Sequence, residues 1–145
     1  MRIARGNLQQ REFPLEVFGV PAVPLPSAPA VPAPVDAARL RNADAEAGQW
    51  LMDGRNYSAQ RYSTLRGINE TNVKELGLAW YAELDTLRGV EATPLFVDGV
   101  LYNISAWNIT SAYNAKTGKR LWTYDPKVPR EWGRYACCEP VARGL

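Results

Sequence analysis

Two short apolar runs, Leu95-Phe96-Val97 and Val100-Leu101-Tyr102-Asn103-Ile104, flank the dipeptide Asp98-Gly99. Asp-Gly tolerates the positive φ angles that a two-residue hairpin turn demands, so this is a strong short-range signal for two antiparallel strands. Ile109–Asn114 extends the pattern as a third strand. Lys116-Thr117-Gly118-Lys119 makes a turn, Arg120–Tyr124 returns as a fourth strand, and Asp125-Pro126 ends the pairing because proline cannot donate to a ladder. Upstream, Leu78-Ala79-Trp80-Tyr81-Ala82-Glu83-Leu84 has the same period of two and is expected to be a strand. Residues 78–125 thus predict an antiparallel meander of short strands with tight turns.

That pattern is the sequence form of one blade of a β-propeller. A single blade cannot bury both its faces; propellers stack several around an axis. Only one clear copy of the repeat is present, so the chain is expected to be an all-β propeller fragment preceded by short helices. Asp36–Leu40 is expected to form one helical turn. Asp44 is an expected N-cap for a short helix over Ala45–Met52, with Trp50 and Leu51 available for burial. Asn69 is expected to cap another, with Val73 and Leu76 on one face and Gly77 at its end. Residues 21–34 carry six of the eleven prolines. They are expected to be extended and polyproline-like, which divides the chain into a Pro-rich leader or linker, 1–34, and a folded part, 35–145.

The bulk properties narrow the function by exclusion. Net charge is +2, with no basic stripe for nucleic acid. There is no histidine, so histidine general bases, triads and His-based metal sites are absent from this sequence. No apolar run approaches the ~18 residues of a membrane span, and the N-terminus shows no recognisable secretory signal.

Both cysteines stand side by side, in Trp132-Gly133-Arg134-Tyr135-Ala136-Cys137-Cys138-Glu139-Pro140-Val141-Ala142-Arg143-Gly144. Neighbouring Cα atoms lie about 3.8 Å apart, whereas an ordinary disulfide spans roughly 4.4–6.8 Å. A bond between these two would close a small strained ring and almost no loop, so its effect would be local stiffening. Two free thiols are the alternative reading of the pair alone.

Two sets of residues carry a family resemblance. Ala112-Tyr113-Asn114-Ala115-Lys116-Thr117-Gly118-Lys119-Arg120-Leu121-Trp122 resembles the tryptophan-docking repeat of quinoprotein dehydrogenases, A-x-D-x-x-T-G-K-x-x-W, with Asn114 in place of Asp. Its tryptophan is a large apolar plate suited to packing between blades. Asp53–Ser63, Ile68-Asn69, Asn72-Val73, Leu76–Trp80, Arg88–Leu95, Tyr124–Pro129 and the cysteine stretch resemble, in order, the N-terminal region of pyrroloquinoline quinone (PQQ)-dependent alcohol dehydrogenases. The resemblance covers about residues 39–144. It implies the N-terminal segment and about one blade of an eight-bladed propeller.

The resemblance implies roles for four residues. Cys137 and Cys138 match a vicinal disulfide lying against one face of the quinone ring. Glu91 matches a glutamate, and Arg143 an arginine, that contact PQQ. A guanidinium fork suits a tricarboxylate quinone and can polarise a quinone oxygen that gains charge. Glu139-Pro140 and Ala142 depart from the family's usual residues, and Pro140 removes a backbone donor from this loop.

The family oxidises alcohols to aldehydes by hydride transfer to the quinone, with calcium or a lanthanide as Lewis acid and an aspartate as base. Its metal ligands and catalytic aspartate lie in segments after the cysteine motif, so no catalytic residue and no metal ligand is assigned in this chain. The chain is expected to be inactive alone. A small alcohol substrate, a cytochrome c-type electron acceptor and a periplasmic location are further expectations from the resemblance; nucleic acid and integral membrane insertion are not expected. The alternative is a non-enzymatic propeller scaffold built from the same repeat, which would have no need of Glu91, Arg143 and the cysteine pair together.

Overall fold

The computed structural model describes residues 32–145; the leader expectation for residues 1–31 lies outside the described residues. The meander forms as one sheet of four antiparallel strands in sequence order: β1 Leu95–Val97, β2 Val100–Ile104, β3 Thr110–Asn114 and β4 Arg120–Tyr124. Asp98 and Gly99 take φ of 50° and 82°, the left-handed pair that a type I′ turn requires. One row, Leu95–Tyr102–Ala112–Trp122, crosses all four strands.

Burial is graded across the sheet. Four of the five residues of β3 are buried, while all five of β4 are exposed. Trp122, the motif tryptophan, tilts against Tyr102 at 5.9 Å between ring centres yet stays 46% exposed. The two ends of β2 carry separate apolar clusters. Beside the β1–β2 turn, Val97 packs with Ala43 and Leu51. At the far end, Ile104 packs with Ala92 and Ala142.

The expected turn at Asp36–Leu40 is present as α1, Ala37–Arg41, with the Asp36 carboxylate accepting from the Arg39 N–H at 2.8 Å. Its guanidinium crosses to the sheet, donating to Glu46 Oε2 and to Asp98 Oδ1, both at 2.7 Å. The Gln49 side-chain amide joins them: its Nε2 donates to Asp98 Oδ1 at 3.1 Å, and its Oε1 accepts from the Asp98 N–H at 2.8 Å. The hairpin turn is thereby clasped to the N-terminal segment.

Three local expectations are corrected. The helix over Ala45–Met52 is replaced by a 3-10 turn at Ala43–Ala45, after which Trp50 pairs with Phe96 of β1 through two backbone hydrogen bonds, 2.9 and 3.0 Å. Pairing to a sheet edge satisfies this backbone better than a helix of two turns interrupted by Gly48. Asp44 caps nothing there and instead accepts from Arg55 and Asn56 at 2.9 and 2.8 Å. The helix at Asn69 shrinks to a 3-10 turn, Val73–Glu75, with Leu76 just past its end, and Val73 and Leu76 both remain exposed.

Leu78–Leu84 is not a strand. Its alternation is real, but no strand partner lies beside it among the described residues, and a strand without a ladder leaves its backbone unpaired. One residue anchors it: Trp80 stacks on Tyr113 at 6.2 Å and donates from Nε1 to the Ala115 carbonyl at 2.8 Å. The ring seats on Gly118, where φ is +71° and any Cβ would lie 2.7 Å from Trp80 Cδ2. The glycine of the repeat motif is thus required twice, by its turn and by this tryptophan.

Candidate cofactor-binding site

Glu91 and Arg143 are 52 residues apart in sequence and meet at the Ile104 end of the sheet: Arg143 Nε donates to Glu91 Oε2 at 3.2 Å. The cause is packing rather than charge. Ala92 and Ala142, their immediate neighbours, are buried together against Ile104, so the two polar side chains are carried to one place on the surface. The Arg143 side chain is 75% exposed, and no further acceptor meets its guanidinium among the described residues. An ion pair this open adds about 0–1 kcal/mol of stability, so packing sets where these two charges meet and their contact itself adds little.

The cysteine pair lies just before this point. Both are exposed thiols in this structure, with sulfur atoms 3.2 Å apart. The chain is tethered directly after the pair, at two successive residues. Arg88, three residues before Glu91, reaches Glu139 at 3.5 Å. The Trp107 N–H donates to the Pro140 carbonyl at 2.8 Å, so the loop is bonded here through an acceptor that proline keeps. Glu139 itself sits at φ 72°, a left-handed turn that reverses the chain directly after the pair.

Of the four residues singled out from the sequence, Glu91 and Arg143 meet directly, and the cysteine pair is linked to their neighbourhood through Arg88–Glu139 and Trp107–Pro140. Trp107 and Arg88 were not among the four. Arg88 is in the right stretch of sequence, but its partner across 51 positions carries no sequence signal. Trp107 is a bulky aromatic in the five-residue connection between β2 and β3, which is a visible oddity; its φ of 66° is not readable from sequence. Among the described residues, no group of three or more His, Cys, Asp or Glu side chains comes together to hold a metal ion.

The four-stranded blade and this surface define a piece of a quinoprotein-type propeller. Residues 50–144 match the PQQ family described as "Glucose/ethanol/alcohol dehydrogenase, beta-propeller domain", and the chain belongs to that family. It is 48% identical to quinohemoprotein alcohol dehydrogenase ADH IIB of Pseudomonas putida over 80% of this chain and 17% of the relative. It is 50% identical to the 1-butanol dehydrogenase (cytochrome c) of Thauera butanivorans, over 70% of this chain and 15% of the relative. Among solved structures, quinohemoprotein alcohol dehydrogenase ADHIIG of Pseudomonas putida superposes with a TM-score of 0.75 at 47% identity, covering 79% of this chain and 17% of that one. A europium-containing methanol dehydrogenase superposes with a TM-score of 0.69 at 39% identity, covering 74% and 19%. The chain spans 17% of the first relative and 15% of the second.

Proposed function

We propose that this chain contributes one wall of the PQQ pocket of an alcohol dehydrogenase, which oxidises alcohols to aldehydes. The observation that carries this reading is the meeting of Glu91 with Arg143, which lies five residues after the adjacent cysteines in sequence, in an exposed ion pair that adds little to stability. The donor set fits the cofactor. PQQ carries three carboxylates and an ortho-quinone, and an exposed guanidinium with unengaged N–H groups suits either. When bound, PQQ supplies the two-electron acceptor for the alcohol's hydride.

The residues of this chain bind and orient. Arg143 holds an anionic or quinone oxygen by charge-assisted hydrogen bonds. Glu91 keeps the guanidinium aimed and accepts from any donor the ring presents. Cys137 and Cys138, joined as a vicinal disulfide, offer a flat, polarisable surface with no donor to compete for the ring's oxygens. Closing that bond removes two electrons and two protons, which a periplasmic disulfide oxidant accepts. Calcium or a lanthanide, and the aspartate base, are taken to be held by residues of the longer polypeptide. A cytochrome c-type acceptor is the natural electron partner, in keeping with the haem and cytochrome c in the names of two relatives.

The test is reconstitution of the complete polypeptide that carries these residues. With PQQ and calcium or a lanthanide, it should bind the quinone and reduce an artificial dye on addition of a primary alcohol. Arg143→Ala should weaken PQQ binding by about tenfold or more. A folded protein with its cysteines oxidised that fails to bind PQQ would sink the reading and leave a scaffold role.

A further inference from the structure

Trp107 touches the cysteine-bearing span at both of its ends. Its backbone N–H donates to the Pro140 carbonyl at 2.8 Å, two residues after Cys138. Its ring meets the run before the pair: Arg130 lies over it at 4.5 Å from the ring centre, and a Cβ placed on Gly133 would lie 2.6 Å from Trp107 Cη2. Gly133 has no positive φ, so the close approach of the indole, rather than backbone freedom, is what needs glycine there. The arc from Gly133 to Pro140 is thus pinned at both feet by one residue, with Cys137 and Cys138 at its top.

The pin is itself referenced to the rest of the site. Trp107 follows Ala106, which is fully buried, in the connection between β2 and β3. That connection closes on itself through the Ser105 N–H, which donates to the Ile109 carbonyl at 2.9 Å. Ile104, at its start, packs on Ala92 and Ala142 beside Glu91 and Arg143. Holding a tryptophan at φ 66° costs on the order of 1 kcal/mol or more. Strain of that kind persists where surrounding contacts over-determine it, as these do.

We infer that Trp107 is a positioning residue that fixes the sulfur surface of Cys137–Cys138 against the Glu91–Arg143 pair, with Gly133 cut to fit it. This rests on the proposed PQQ pocket. Four variants of the complete polypeptide test it. Gly133→Ala pushes a methyl into the indole; Trp107→Phe removes the atom that would clash; the double variant restores the fit. PQQ affinity is read by quenching of protein fluorescence on quinone titration, and unfolding temperature is read beside it.

The expected result is a loss of PQQ affinity of about tenfold for Gly133→Ala, substantially recovered in the Trp107→Phe/Gly133→Ala double variant. Trp107→Gly, which tolerates the left-handed backbone and removes the indole, should lose affinity to a similar degree and gives a reading if Gly133→Ala does not fold. PQQ affinity within twofold of the parent in both Gly133→Ala and Trp107→Gly, whatever the change in unfolding temperature, would overturn the inference. Failure of the folded parent protein to bind PQQ would instead overturn the pocket reading on which it rests.

Discussion

The two ends of the sheet hold charged clusters of opposite character. At the β1–β2 turn, Arg39 is 14% exposed in its side chain and is shared between two carboxylates at 2.7 Å, with Gln49 completing the set. At the Ile104 end, Arg143 is 75% exposed and makes a single 3.2 Å contact. The first cluster is satisfied from within and shielded; it holds α1 to the hairpin. The second leaves its donors available at little cost to the fold. A charge that is fully partnered and half-buried belongs to the architecture, and one left open beside another open charge is free for a ligand.

The comparison breaks first at the clasp. Arg39→Met should cost about 3 kcal/mol, since it strands Asp98 and Glu46 together without their cation, and urea unfolding would show it. Next comes Gly118→Ala, with a Cβ 2.7 Å from Trp80 at a φ of +71°; a loss of about 2 kcal/mol follows from the overlap and the backbone strain together. Arg143→Ala should stay within about 0.5 kcal/mol of the parent while PQQ binding falls. Equal destabilisation by Arg39→Met and Arg143→Ala would erase the distinction between the two ends.

Acid sharpens the same contrast. Hydrogen bonding from Arg39 holds the carboxyls of Asp98 and Glu46 below their ordinary values, and the Ala33 N–H adds to this at Asp98. Their folded-state values are depressed, so the clasp contributes fully above the unfolded carboxylate range, about pH 4. Its contribution falls as pH drops through the folded values, because the unfolded chain takes up protons first. Unfolding midpoints measured between pH 6 and pH 3 should fall in the parent and fall less in Asp98→Asn.

The strands that formed as expected are those whose signal is local: a turn dipeptide between alternating runs specifies its own pairing. Leu78–Leu84 had the alternation without a neighbour, and Ala45–Met52 had a capping residue without the length, so tertiary pairing decided both. At the candidate site, the family resemblance singled out Glu91, Cys137, Cys138 and Arg143, whose roles toward PQQ are proposed here. The site was illegible in its mechanics, because what brings Glu91 to Arg143 is the burial of Ala92 and Ala142 against Ile104, and small apolar residues announce nothing. Trp107 was hidden for a related reason: its importance lies in a backbone angle and in the absence of a side chain at Gly133.

The sheet's two edges differ in one more respect. β1 is closed off by the Trp50–Phe96 bridge, whereas β4, exposed along its whole length, carries no neighbour on its outer side among the described residues. An open row of N–H and C=O groups is a template for any passing strand. During synthesis the meander can pair as soon as it clears the ribosome, but β4 stays adhesive until something covers it. A ribosome stalled just after this blade would expose a sticky intermediate, and chaperone binding is expected there.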